Sequence, residues 1–358
     1  MACEQVTLQD VCELIVDCPH TSTKDEGVGY PLIRTPNVGR GRLILTDVHR
    51  VSQDVYERRV SRAVPRQGDL ILAREAPAGN VAIVPPGIEV CLGQRTMLLR
   101  PDSSFVVPEY LNYYLNAPEQ RDRMLRLANG ATVSHINVAD IRNMPVQLPS
   151  RGEQSKVAEL LNVLDDKIDL NNRLNDYLEQ LVDGKFQELF GGLNFNATLS
   201  DVAEITMGQS PAGSSYNEEG AGIIFYQGRG EFGWRFPKRR LYTTEPKRLA
   251  CEGDVLMSVR APVGDLNVAF ENCCIGRGLA AIHSETPSFA LYLMRFLKPQ
   301  LEAYNGEGTV FGSINGKALK SLEVALPSHN EVMQFESFAA PIDALIRSNA
   351  VSYTHLRA

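Results

Sequence analysis

Four carboxylates lie close enough in sequence to be weighed for metal or acid–base chemistry: Asp69 with Glu75, and Asp254 with Asp265. Paired acids can hold a divalent ion that activates water or a phosphoryl oxygen, as a nuclease requires. The pairing does not persist, because Glu75 stands opposite Arg260 where the chain repeats itself. The six histidines, His20, His49, His135, His283, His329 and His355, show no ligand spacing. The seven cysteines, Cys3, Cys12, Cys18, Cys91, Cys251, Cys273 and Cys274, are scattered and form no CxxC pair, so reduced, mostly buried thiols are expected. Gly312-Ser313-Ile314-Asn315-Gly316-Lys317-Ala318 faintly resembles a phosphate loop. It lacks the glycine spacing and the hydroxyl that would hold magnesium. These residues argue against an enzyme acting alone, and no catalytic or metal-binding residue is expected.

Cationic side chains offer a different chemistry, the neutralisation of phosphates. Arg58, Arg59, Arg62 and Arg66 cluster in the first half, and Arg229, Arg235, Lys238, Arg239, Arg240, Lys247 and Arg248 in the second. The formal charge of -7 opposes a free-standing nucleic-acid binder. That charge is unevenly placed: residues 1–150 carry 16 basic and 17 acidic side chains, and residues 151–200 carry 5 basic and 9 acidic. More than half of the excess thus lies in one central segment.

The elements that must position these residues occur twice. Leu8-Gln9-Asp10-Val11 matches Leu199-Ser200-Asp201-Val202, and Gly68-Asp69-Leu70-Ile71-Leu72 matches Gly253-Asp254-Val255-Leu256-Met257. Ala76-Pro77-Ala78-Gly79 then answers Ala261-Pro262-Val263-Gly264, Asn80-Val81-Ala82-Ile83 answers Asn267-Val268-Ala269-Phe270, and Cys91-Leu92-Gly93 answers Cys274-Ile275-Gly276. Each copy closes on Ile-Asn (Ile136-Asn137; Ile314-Asn315) and Leu-Pro-Ser (148–150; 326–328). A period of this length exceeds any solenoid repeat and implies a duplicated domain.

Within each copy, short apolar runs bounded by Gly and Pro predict strands at 70–72, 81–84, 97–99, 255–257 and 268–270. A helix is expected from Pro108 to about Leu127, and another from Ser288 to about Tyr304. Gly79 and Gly264 are expected to form tight turns. The fold class is α+β with a Gly-rich β core.

From Glu153 to about Phe190 the chain has no Pro and one Gly, with Val157, Leu161, Leu164 and Ile168, then Leu174, Leu178 and Leu181, at helical spacing. Such a helix spans roughly 57 Å if straight. Asn171, Asn172 and Asn175 fall in its seam, where polar residues fix the register of a coiled coil. A partner begins with Glu331, Phe335, Phe338 and Ile342, in which Asp343 matches Asp165 and Ile346 matches Ile168. The expected organisation is a first domain (1–150), a central helix (151–192), a second domain (193–328), the start of a second, antiparallel helix (329–350) and an anomalous tail (351–358). Because the tail continues neither heptad nor repeat, a truncated second helix is expected.

Gly68-Asp69 through Arg74-Glu75 and Gly79-Asn80 to Val84-Pro85, continuing to Cys91–Thr96, resembles the target-recognition domains of type I restriction-modification specificity subunits. Pro31–Val38 does so too, and in the second copy Phe225–Gly228 and Ser258–Asp265. The segment Glu153–Asn171 is similar to that family's helix. The resemblance implies a non-catalytic subunit whose two domains each read half of a bipartite, gapped DNA sequence, held apart by antiparallel helices. It implies double-stranded DNA, modification (methyltransferase) subunits and a restriction/translocase subunit as partners. S-adenosylmethionine, ATP and magnesium would belong to those partners, leaving no cofactor in this chain. No apolar run suits a membrane, and the N-terminus lacks a signal-like stretch, so a cytoplasmic protein is expected. Candidate DNA contacts are Arg34, Asn37, Arg40 and Arg42 in the first domain, and Gln227, Arg229, Arg235, Lys238, Arg239 and Arg240 around Trp234 in the second. Arg74 and Arg260, taken as shared by the two copies, suit structural or phosphate roles. The helix positions Val157, Leu161, Leu164, Ile168, Leu174, Leu178 and Leu181 are the expected docking stripe. A rival reading is a protein-binding adaptor.

Overall fold

The computed structural model describes residues 4–76, 78–128, 135–306 and 312–357, with side chains described up to residue 350. Pro77 and Ala358 therefore lie outside the described residues. The chain divides into two units, Met1–Lys167 and Ile168–Ala358.

In the first unit, strand Leu70–Ala73 is buried along its whole length. Alternation sends its side chains to opposite faces. Leu70 and Leu72 join Leu111, Leu115 and Met124 in one core, while Ile71 and Ala73 join Ile33, Val38 and Leu98 in another. The main sheet runs Cys12–Asp17, Thr96–Pro101, Leu70–Ala73, Val81–Ile83, Gly41–Arg42, antiparallel except for the last pair. A smaller sheet joins Arg50–Val51, Tyr30–Ile33 and Cys91–Leu92.

The second unit repeats this plan. Its four-stranded sheet runs Glu204–Met207, Leu279–His283, Val255–Ser258, Leu266–Val268. Val255 and Met257 pack with Phe289, Tyr292 and Phe335, and Leu256 packs with Ile224, Tyr226 and Ala281. Around Phe186 the rings of Phe190, Phe289, Phe296 and Phe335 lie 5.0 to 5.8 Å away, tying both long helices into this core. In each unit the opening and closing strands pair: Glu4–Thr7 with Pro145–Leu148, and Ala197–Thr198 with Glu323–Val324.

Two of the helices differ from expectation. The first is two helices, Pro108–Asn116 and Pro118–Leu127. Pro118 cannot donate to the preceding turn and holds Ala117 at ψ 143°, outside the helical region. The second starts at Pro287 and ends at Phe296, with Lys298–Glu302 following. The last expected strand lies earlier, at Leu266–Val268.

The central helix runs Arg151–Phe190 and the second long helix His329–Arg357. Both begin at the Leu-Pro-Ser closure, where Ser150 and Ser328 each donate backbone N and Oγ to a glutamate three residues on, Glu153 and Glu331. This is half of a capping box at Ser150; at Ser328 the reciprocal bond, from Glu331 N to Ser328 Oγ at 3.4 Å, completes it. The backbone stays helical past residue 350, beyond the point where the apolar series stops.

On the central helix the buried positions are Gln154 and Ala158 in the first unit, and Ile168, Asn175, Val182, Phe186 and Phe190 in the second. Of the expected docking stripe, Ile168 is therefore inside, Leu161, Leu164 and Leu178 are half-buried, and Val157, Leu174 and Leu181 are exposed. The seam is offset from the apolar series because it includes polar residues: Asn175 accepts a 2.8 Å hydrogen bond from Asn349.

Candidate DNA interface

The same Tyr–Asp–Arg arrangement holds a loop to a long helix in both units. In the first, Tyr113 Oη lies 2.9 Å from Asp165, and Arg42 donates to Asp166 at 2.7 Å. In the second, Tyr292 Oη donates to Asp343 at 3.1 Å, and Arg235 bonds Asp343 and, at 3.1 Å, Glu179. Tyr113 and Tyr292 both follow a helix-opening proline by five residues, and Asp165 and Asp343 are the matched pair. Burial, then the neighbouring Asp165, pushes the Tyr113 hydroxyl well above its ordinary range. Burial likewise raises that of Tyr292. Burial opposes the charge of Arg235, but Asp343, Tyr292 and Glu179 outweigh it and its pKa is raised.

Several candidate readers are thereby corrected. Arg235 is buried and fully engaged, and Arg42 is tied to the helix carboxylates. Asn37 is buried, with Nδ2 donating to Ile44 O and Oδ1 accepting from Arg34 N. Arg74, expected in a structural or phosphate role, grips Asp17 with Nη1 at 2.8 Å and donates to Ile136 O. Arg59 of the first basic cluster is buried on Leu92 O and Thr23 Oγ1. In each case a carbonyl, hydroxyl or carboxylate elsewhere in the fold claims the side chain, a demand that residue type alone does not reveal. Arg40 stays exposed.

An open cleft of about 410 Å³ in the second unit is lined by Gln227, Arg229, Ser258, Arg260 and Arg277. Gln227, Arg260 and Arg277 are exposed, and Arg229 pairs with Asp265 at 2.8 Å. Its frame is backbone: Gly276 N donates to Tyr226 O at 2.8 Å, and Val259 N to Gly278 O at 3.0 Å. The first unit builds the same frame, Gly93 N to Ile33 O at 2.8 Å and Arg74 N to Arg95 O at 2.8 Å. This correspondence sets Val259 opposite Arg74, so Arg260 answers Glu75 and is not shared between the copies. On one frame, then, the rim reads Arg34, Glu75, Gln94 in one unit and Gln227, Arg260, Arg277 in the other. Gln94 and Arg277 were not singled out from sequence; their signal is the residue following the repeated Cys-x-Gly. Lys238, Arg239, Arg240 and Trp234 form an exposed patch in the second unit, with Arg239 on Glu271 and Arg240 on Glu231.

The carboxylates weighed for catalysis all have cationic or imidazole partners: Asp69 with Arg100, Glu75 with Arg95, Asp265 with Arg229 and Asp254 with His283. Neither proposed acid pair shares an open site. The fold instead gathers Cys251, Asp254 and His283, a group that sequence spacing did not indicate.

A duplicated α+β unit that offers different polar side chains on one backbone frame defines a recognition protein. The chain belongs to the family described as Type I restriction modification DNA specificity domain, which matches residues 2–180 and again 196–347. It is 32% identical over 368 aligned positions to the type I restriction enzyme MjaX specificity subunit of Methanocaldococcus jannaschii, covering 95% of this chain and 86% of that one. The MjaIX specificity subunit of the same organism is 21% identical, with 84% and 78% covered. The crystal structure of the type I restriction-modification system S subunit from M. genitalium shares the fold, with a TM-score of 0.63 at 14% identity, covering 100% of this chain and 93% of that chain. Among the described residues no helix is long and apolar enough to cross a membrane.

Proposed function

We propose that this chain is the non-catalytic specificity subunit of a type I restriction-modification complex, each unit reading one part of a gapped, two-part DNA sequence. The observation that carries this reading is the double match to one DNA specificity domain, with the frame repeated and the rim side chains changed. Two copies of one reader that presented identical side chains would read one sequence twice; Arg34, Glu75 and Gln94 against Gln227, Arg260 and Arg277 supply different donors and acceptors.

The central helix leaves large apolar side chains exposed: Val157, Leu160 and Val163 in the first unit, and Leu170, Leu174, Tyr177 and Leu181 in the second. Their heptad-like recurrence suits docking of modification subunits. In this reading those subunits bind S-adenosylmethionine and methylate adenine, and a restriction/translocase subunit uses ATP and magnesium. The partners also neutralise much of the DNA backbone charge, which reconciles a net charge of -7 with DNA binding.

The test is co-expression with a cognate modification subunit and mapping of methylated adenines across host DNA. The expected result is a two-part motif with a fixed gap. A soluble, bound modification subunit that leaves host DNA unmethylated would count against it.

A further inference from the structure

Each unit opens the central strand of its main sheet with the same Gly-Asp turn. In the first unit Gly68 sits at φ +86° and Asp69 is buried. Asp69 Oδ2 accepts from Arg66 N at 2.8 Å, and the carboxylate is held by Arg100 through Nε at 2.9 Å and Nη2 at 2.8 Å. In the second unit Gly253 sits at φ +88°, Asp254 is buried and its Oδ2 accepts from Cys251 N at 2.7 Å. Strand register fixes the remaining correspondence: Leu70 pairs with Leu99 and Val255 with Ile282, so the residues that follow, Arg100 and His283, are equivalent.

The positions of Arg66 and Arg100 around Asp69 are thus held by Cys251 and His283 around Asp254. Among the described residues, the only ion-pair partner of Asp254 is His283, with Nδ1 at 2.6 Å from Oδ1. The ligand atoms of Cys251, Asp254 and His283 all lie within 4.8 Å of one another. Glu204, opposite His283 in the neighbouring strand, adds a further negative charge.

We infer that this corner is a divalent transition-metal site, zinc by its donor chemistry, ligated by Cys251 Sγ, the Asp254 carboxylate and His283 Nδ1, with solvent at the fourth position. Thiolate and imidazole select zinc-like ions over magnesium or calcium. The ion supplies for Asp254 the positive charge that Arg100 supplies for Asp69. On binding, the Cys251 thiol proton leaves to solvent, and the proton that His283 Nδ1 shares with Asp254 leaves too, to solvent from an imidazolium or through solvent to Nε2 from the neutral ring, so that the imidazole binds as the Nε2–H tautomer. Tetrahedral zinc with bonds of about 2.0–2.3 Å sets its donors roughly 3.3–3.7 Å apart. The His283–Asp254 contact must therefore open by about 1 Å, which the half-exposed imidazole and the exposed Cys251 permit.

The test uses the full-length, untagged chain, reduced and stripped with chelator, and titrated with cobalt(II). One equivalent is expected to bring a thiolate-to-cobalt charge-transfer band and tetrahedral visible bands, both displaced by zinc. Cys251→Ser should lose the charge-transfer band. His283→Arg, which restores the first unit's residue, should remain folded and lose the rise in melting temperature that zinc gives the parent chain. Absence of a band at one equivalent, its survival in Cys251→Ser, or a zinc effect unchanged in His283→Arg would overturn the site and leave a simple His–Asp hydrogen bond.

Discussion

At the scale of single residues, burial decides which arginines are free to recognise anything. Arg235 and Arg42 occupy the same Tyr–Asp–Arg arrangement, yet the side chain of Arg235 is 4% exposed and that of Arg42 is 41% exposed. Replacing Arg235 with Ala removes the cationic partner of Asp343 and leaves Glu179 to Arg295 alone, and should cost about 3–5 kcal/mol of stability. Arg42→Ala, whose ion pair is screened by solvent, should cost about 1 kcal/mol or less. Urea unfolding of both variants measures the difference, and equal losses would contradict the burial argument. Arg260 and Arg277 sit exposed on the cleft, so Arg260→Ala and Arg277→Ala should leave the unfolding free energy within about 0.5 kcal/mol of the parent. In the assembled complex they should weaken DNA binding, by about 1–3 kcal/mol for a bidentate base contact. Loss of a contact to phosphate alone would instead weaken binding uniformly across sequences and reduce its salt dependence.

At the scale of elements, the glycines of the tight turns were legible because their repeat positions agree. Gly79 and Gly264 have φ +83° and +90°, and each donates its N–H back to the end of the preceding strand, at Ala73 O and Ser258 O. Their surroundings were not legible. A Cβ on Gly264 would stand 2.9 Å from Leu301 Cβ, whereas one on Gly79 meets nothing nearer than Met124 Cβ at 3.6 Å. Gly79→Ala should therefore cost only the strain of positive φ, about 1–2 kcal/mol, and Gly264→Ala clearly more. Thermal unfolding of the two variants checks the order.

The long helices make a prediction about acid. Hydrogen bonds from the side chain and then the backbone of Ser150 hold the Glu153 carboxyl below its ordinary 4.5, and Ser328 does the same for Glu331. A depressed folded-state pKa stabilises the helix start above about pH 4.5, and that contribution is lost as pH falls through the folded value. Helical circular dichroism followed from pH 7 down to pH 3 should fall later in Glu153→Gln/Glu331→Gln, relative to its own neutral-pH stability, than in the parent chain. An unchanged acid profile would show that the caps are idle.

At the scale of the whole molecule, the duplication was the most legible feature, since Gly-Asp, Ile-Asn and Leu-Pro-Ser all recur at equivalent positions in the fold. The helix seam was legible only in part: Asn175 falls in it by its spacing, whereas Gln154 and Glu179 are passed over by a search for apolar periodicity. The candidate readers were only partly legible for a related reason: Asn37, Arg42, Arg74 and Arg235 have the side chains of base readers but are claimed by carbonyls and carboxylates distant in sequence. Gln94 and Arg277 follow the repeated Cys-x-Gly in sequence, but their place on the rim emerges when the two frames are superposed residue by residue.

That superposition carries the central claim, that each unit reads its own part of the DNA through side chains set on a common frame. The direct measurement is adenine-methylation mapping of a co-expressed complex carrying Gln227→Ala/Arg277→Ala, beside the parent complex. One part of the two-part motif is expected to relax or change while the other part and the gap stay fixed. Simultaneous change in both parts, or an unaltered motif in a fully assembled complex, would contradict it.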